Sequence, residues 1–157
     1  MGPLAGGILG GVFGLLSVIT NTFQPTITSF VFTPFYSLTP EYSGNLWSLV
    51  IAILPRVLIG VFSAWVFRLL RRAFKGDTAA FLGAGIVGAI TNTGLVMGGI
   101  YLFFGASYAA AKGIARSALL GVIMGVIGLN GVLEAVIAAV LTVALGKPLA
   151  TVLRRMR

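Results

Sequence analysis

The chain has 157 residues, of which 58% are hydrophobic and 9% charged, with a formal net charge of +8. A water-facing domain carries about 25% charged residues, so this composition excludes a soluble globular surface and points to an all-α integral membrane protein. Cysteine and histidine are absent and Asp and Glu total three, which removes disulfides, thiol chemistry, the usual zinc sites and paired-carboxylate catalysis, and leaves no expected cofactor.

A spanning helix needs about 20 predominantly apolar residues. The first apolar run is Leu4 to Thr20. Its glycines Gly6, Gly7, Gly10, Gly11 and Gly14 recur at three- and four-residue spacing, which lays a small-residue stripe on a helix and lets another helix approach closely. Pro3 suits the first turn of that helix, and the absence of a basic segment before the run argues against a signal peptide. Residues 21–45 are Thr/Ser/Pro-rich and aromatic, with Pro25, Pro34 and Pro40 and no base. A loop of this length with no regular pattern points to a function. Phe30, Phe32, Phe35, Tyr36, Tyr42 and Trp47 are candidates for a pocket wall or for the aromatic belt at the interface.

The second run, Leu46 to Leu70, contains Pro55-Arg56 and leads into the basic cluster Arg68, Arg71, Arg72 and Lys75. The third is Ala79 to Phe104, followed by a short connection with Lys112 and Arg116. From Ser117 to Leu145 the chain is apolar again. As one helix this stretch is roughly 43 Å long at 1.5 Å per residue, too much for a straight span. The glycines at 121, 125, 128 and 131 predict a break, hence a short lid-like helix over 117–128 and a spanning helix over 129–152. Four spans result. Basic residues collect in cytoplasmic loops, so the +8 is a topology signal and no nucleic-acid partner is expected. Placing residues 68–75 and 147–157 inside puts eight bases there and leaves only Lys112 and Arg116 outside. Both termini are then cytoplasmic and the 21–45 loop is external.

Polar side chains in hydrocarbon must face another helix, a watery cavity or a ligand, because an unpaired polar group there costs several kcal/mol. Arg56 lies about ten residues from the outer end of its span. Thr91, Asn92 and Thr93 lie at a similar depth. Asn130 and Glu134, four apart, share a face of the last helix, and Asn21, Thr22 and Gln24 stand at the outer end of the first. Intramembrane ionisable residues mark sites or pathways by default. An Arg56–Glu134 ion pair fastening two helices is the alternative, but it leaves the amides and threonines at the same level unexplained. A small polar solute bound from outside accounts for all of them, with Arg56 matching a carboxylate bidentately. No Walker A motif, nucleophile–base pair or metal triad is present, so no enzymatic activity is expected.

Four segments, Gly-Pro-Leu-Ala-Gly-Gly at 2–7, Leu-Pro-Arg-Val-Leu-Ile-Gly at 54–60, Thr-Asn-Thr-Gly-Leu-Val-Met-Gly-Gly-Ile-Tyr-Leu-Phe at 91–103 and Asn-Gly-Val-Leu-Glu-Ala at 130–135, together resemble the substrate-binding S component of energy-coupling factor (ECF) vitamin transporters, most closely the pantothenate-type branch. The resemblance implies a vitamin-capturing subunit in the plasma membrane of a prokaryote. Its implied partners are a transmembrane coupling subunit and two cytoplasmic ATPase subunits that drive uptake. It also implies that Arg56, Asn92, Asn130 and Glu134 lie in the segments that form the pocket. Family members have six helices and the Gly-Pro-Leu-Ala-Gly segment usually begins the third. The expectation is therefore a single membrane domain over 1–157 lacking the family's first two helices, with the Ala-x-x-x-Ala coupling surface of the first. Another vitamin (folate, riboflavin or a thiamine precursor) and a ligand-free helix-packing subunit stay open as alternatives.

Overall fold

The computed structural model describes residues 2–74 and 76–155. Four long helices dominate: α1 Pro3–Phe23, α2 Leu46–Ala73, α3 Thr78–Ala111 and α4 Leu119–Arg155. Each is long and apolar enough to cross a membrane. The chain is thus a multi-pass membrane protein with the four expected spans.

Local chemistry sets the helix ends. Pro3 occupies the first turn of α1, and Pro25 follows its C-cap Gln24; a residue before proline is pushed out of the helical region. Asn45 caps α2 through a reciprocal pair of bonds. Its Oδ1 accepts from the Trp47 N–H at 2.9 Å, and its own N–H donates to Ser48 Oγ at 3.0 Å. Arg71 and Arg72 sit in the last turn of α2, where cations complement the helix dipole, and Arg71 Nε pairs with Asp77 at 3.0 Å across the turn to α3. At the end of α3, Gly113 adopts φ +66°. Its N–H donates to the Ala110 carbonyl and the Ile114 N–H to the Ala109 carbonyl, both at 3.0 Å. Glycine takes that left-handed conformation without the Cβ clash, and the two bonds satisfy carbonyls the helix leaves open.

Helices pack in chain order, α1 on α2, α2 on α3 and α3 on α4; among the described residues no extended α1–α4 contact closes the bundle. The glycine stripe of α1 is spent on α2. A Cβ on Gly6 would collide with the Gly60 carbonyl oxygen, one on Gly10 with the Arg56 carbonyl oxygen, and one on Gly14 would lie 2.8 Å from Ile53 Cα. Backbones approach this closely only where side chains are missing. Lower down, Phe67 tilts onto Phe81 at 4.8 Å, and a Cβ on Gly146 would run into the Phe81 ring.

Two expectations from the sequence are corrected. The first is the lid-like helix over 117–128: after a 3-10 turn at Arg116–Ala118, α4 runs without a break through Gly121, Gly125, Gly128 and Gly131. A glycine costs a helix only about 1 kcal/mol relative to alanine. Breaking the helix in an apolar setting would strand several backbone groups at a greater cost. The 37 residues of α4 make it about 55 Å long, so it tilts or projects past the hydrocarbon. The second is the loop over 21–45, which is folded. A 3-10 turn at Ser29–Val31 and an antiparallel pair of short strands, β1 Ser37–Thr39 and β2 Tyr42–Ser43, shape it.

This loop is a plug. Ser29, Phe30, Val31 and Thr33 are fully buried. Phe30 meets Phe104 edge-on at 5.9 Å and packs with Ile51, Val96 and Ile100. Ser48 Oγ donates to the Phe30 carbonyl at 2.7 Å, Ser29 Oγ donates to Asn21 Oδ1 at 2.7 Å, and the Thr22 and Thr33 hydroxyls share a 2.6 Å bond. At the same end Trp47 stacks on Phe103, 4.1 Å between centroids. Exposed bases Arg68, Arg71, Arg72, Lys147 and Arg155 gather at the opposite ends of α2 and α4. Lys75 and Arg157, assigned to the same side, lie outside the described residues.

Candidate functional site

An open, groove-like cavity of about 430 Å³ lies between Phe13 of α1, Ile59 and Ser63 of α2, Gly88 and Asn92 of α3, and Glu134, Ile137 and Leu141 of α4. Helical spacing explains the set. Positions 59 and 63 share a face of α2, 85, 88 and 92 a face of α3, and 134, 137, 138 and 141 a face of α4.

The cavity is chemically graded. In its lower half the hydroxyls are already used: Ser63 Oγ donates to the Ala84 carbonyl at 2.9 Å, and Thr142 Oγ1 to the carbonyls of Phe81 at 2.9 Å and Ala138 at 2.7 Å. The walls there are aliphatic, and Phe13 supplies the one aromatic ring of the lining. Unspent polar groups gather toward Asn92 and Glu134. Asn92 Oδ1 is buried without a hydrogen-bond partner, a costly state for an amide away from water. Glu134 accepts one bond, from Thr93 Oγ1 at 2.7 Å to Oε2.

Arg56 adjoins this region through Phe13, whose ring lies 5.9 Å from the guanidinium carbon; the Phe32 ring of the plug lies 5.6 Å away. Cations sit favourably over aromatic faces at such distances. One guanidinium nitrogen, Nη1, donates to the Ile51 carbonyl at 3.0 Å, while Nε is buried without a partner. Among the described residues no ion pair joins Arg56 to Glu134, so the helix-fastening alternative for these two charges is not what the geometry shows. The other acids, Glu41 and Asp77, lie in the plug hairpin and the α2–α3 turn.

The remaining candidates are placed elsewhere. Thr93 is buried and faces α4: its methyl lies against Gly131 and its hydroxyl is given to Glu134. It lines a second, larger groove of about 490 Å³ on the other side of α3 and α4, whose wall is otherwise apolar. A groove without free polar groups offers nothing to orient a polar solute. Thr91 is half-buried and lines neither space. Asn130 is exposed and does not line the cavity. Asn21 is taken up by the plug: its amide donates to the Ser17 carbonyl and its oxygen accepts from Ser29. Gln24 is the exposed C-cap residue of α1. Of the two rings beside Arg56, Phe32 was among the aromatic candidates for a pocket wall, whereas sequence reasoning missed Phe13. Phe13 carries one usable signal, its position a turn beyond Gly10, which packs directly on the Arg56 backbone. Among the described residues no cluster of His, Cys, Asp and Glu could hold a metal ion.

The chain matches the family model described as "ECF transporter, substrate-specific component" over residues 1–146. It is 37% identical over 145 residues to the "Pantothenic acid transporter PanT" of Lactococcus lactis subsp. cremoris (strain MG1363), an alignment covering 92% of this chain and 68% of that protein. No solved structure matches it. With four apolar spans, a polar-ended cavity between them and this match over nearly its whole length, the chain belongs to the family of substrate-specific (S) components of ECF transporters.

Proposed function

We propose that this S component captures pantothenate from outside a prokaryotic plasma membrane for ATP-driven uptake. The observation that carries the reading is the Arg56 guanidinium, with an unspent edge held at membrane depth beside a cavity whose other free groups are an amide oxygen and a carboxylate. Pantothenate offers complementary groups: a carboxylate at one end, an amide N–H and two hydroxyls, and a branched aliphatic middle. Arg56 pairs with the ligand carboxylate. Asn92 Oδ1 accepts from the ligand amide or a hydroxyl, and Glu134, steadied by Thr93, accepts from a hydroxyl. The aliphatic wall with its single ring suits a branched chain better than a flat aromatic vitamin, which would need stacking surfaces.

The same reading sets the topology. The exposed bases at the ends of α2 and α4 support a topology with both termini in the cytoplasm and the plug covering the site from outside. The chain has no phosphate-binding loop, so the work of ATP comes from two cytoplasmic ATPase subunits acting through a transmembrane coupling subunit. A thermal-melt panel of pantothenate, folate, riboflavin and a thiamine precursor tests the substrate. A ligand that binds only the folded state at 100 times its Kd adds about 2.7 kcal/mol of stability. Pantothenate is expected to raise the melting temperature, and a shift given by another vitamin alone reassigns the ligand. A folded protein shifted by none of them is a helix-packing subunit.

A further inference from the structure

We propose that Pro55 is a positioning residue for ligand capture: by freeing one backbone carbonyl it aims Arg56. This rests on the role given to Arg56 above. Pro55 is buried inside α2. Proline has no N–H, so the carbonyl four residues earlier loses its helical partner. That carbonyl belongs to Ile51, and it is the oxygen that accepts from Arg56 Nη1 at 3.0 Å. The residue next to the proline thus supplies the bond that the proline removes.

The consequence concerns which edge of the guanidinium is left. Arginine presents its donors in a planar fork. With Nη1 tethered to Ile51, the plane is fixed and the opposite edge, Nε with Nη2, is presented for side-on pairing with a carboxylate. Nε is the buried nitrogen without a partner. Two further contacts hold the group from other elements, the Phe13 ring from α1 and the Phe32 ring from the plug, while Gly10 of α1 abuts the Arg56 backbone carbonyl. The rings permit rotation of the guanidinium about its long axis, whereas the tether to Ile51 does not. A non-proline residue at 55 returns an N–H to the Ile51 carbonyl and sets Nη1 free.

The test compares two ligands differing only at the acid end, pantothenate and its neutral alcohol pantothenol, titrated into purified protein in lipid nanodiscs. Wild type is expected to prefer pantothenate. In Pro55→Ala and Pro55→Val, both of which restore the N–H, pantothenate affinity is expected to fall about tenfold or more, with pantothenol unchanged within about threefold. The melting temperature is expected to hold or rise, since the helix regains a bond. A preference retained in both variants overturns the proposal while leaving the Arg56 reading intact. Equal loss of both ligands with a lower melting temperature assigns Pro55 a packing role only and overturns it too. Loss of the preference in Ala but not in the bulkier Val traces the effect to a cavity and is equally fatal. Wild type without any preference for the acid overturns the role of Arg56 itself, and this proposal with it.

Discussion

Alanine at Gly10 and alanine at Gly125 are the same chemical change with opposite expected signs. At Gly10 the new methyl would collide with the Arg56 carbonyl oxygen and lie 2.7 Å from its carbon and 2.9 Å from Val57 Cα. These are backbone atoms of α2 and cannot rotate away, so α1 must retreat. Overpacking of this kind costs about 1–3 kcal/mol, offset in part by the ~0.5–1 kcal/mol that alanine gains over glycine in a helix. The net, with rigid backbone atoms on the receiving side, is a loss of up to about 2.5 kcal/mol. At Gly125 an added Cβ meets nothing within 4 Å, so only the helical gain remains. For a chain of this size 1 kcal/mol moves the melting temperature by about 2–4 °C. Thermal unfolding in one detergent should therefore show Gly10→Ala lower by several degrees and Gly125→Ala level or slightly higher. Pantothenate binding should weaken in the first variant alone, because the α1 retreat carries Phe13 away from Arg56. Equal shifts in the two variants, or a reversed order, would refute the close α1–α2 packing.

Ser48→Ala leaves the buried Phe30 carbonyl and the Asn45 N–H without their partner; at about 1–3 kcal/mol per unsatisfied group, the melting temperature should drop and proteolysis of the 24–45 plug should speed up. Phe32→Leu keeps apolar volume but removes one ring from Arg56, so pantothenate affinity should fall about 2- to 30-fold, the equivalent of ~0.5–2 kcal/mol, with little change in melting. Thr93→Val keeps the shape and removes the donor to Glu134; calorimetry should show weaker pantothenate binding, and an unchanged Kd would mean that Glu134 needs no support.

The architecture was legible where physics acts locally. Apolar run length and basic clustering identify four spans and their order, because hydrocarbon thickness and charge placement constrain every helix alike. The α1 glycines read correctly as a packing stripe for the same reason. The plug was hidden, since Ser29, Phe30 and Thr33 are buried through bonds to Asn21, Ser48 and Thr22, partners that no local period reveals. The unbroken α4 was hidden because a glycine-rich run looks alike in a broken and a continuous helix. Of the candidate site, Arg56, Asn92 and Glu134 stood out as ionisable or amide groups inside apolar runs. Phe32 was one of several loop rings with two readings, pocket wall or interface belt, and Phe13 went unseen, because a phenylalanine facing lipid and one facing a guanidinium read the same. Asn130 shows the limit of spacing arguments: it shares a helix face with Glu134, yet it is exposed and does not reach the cavity that Glu134 lines.

Calorimetric titration of pantothenate into the purified, lipid-embedded protein, with Arg56→Ala alongside, tests the central claim most directly. Saturable binding by the wild type that disappears in Arg56→Ala is the expected result. Equal affinity in the two proteins would remove Arg56 from the site, and no binding by a folded wild type would contradict the assignment of pantothenate.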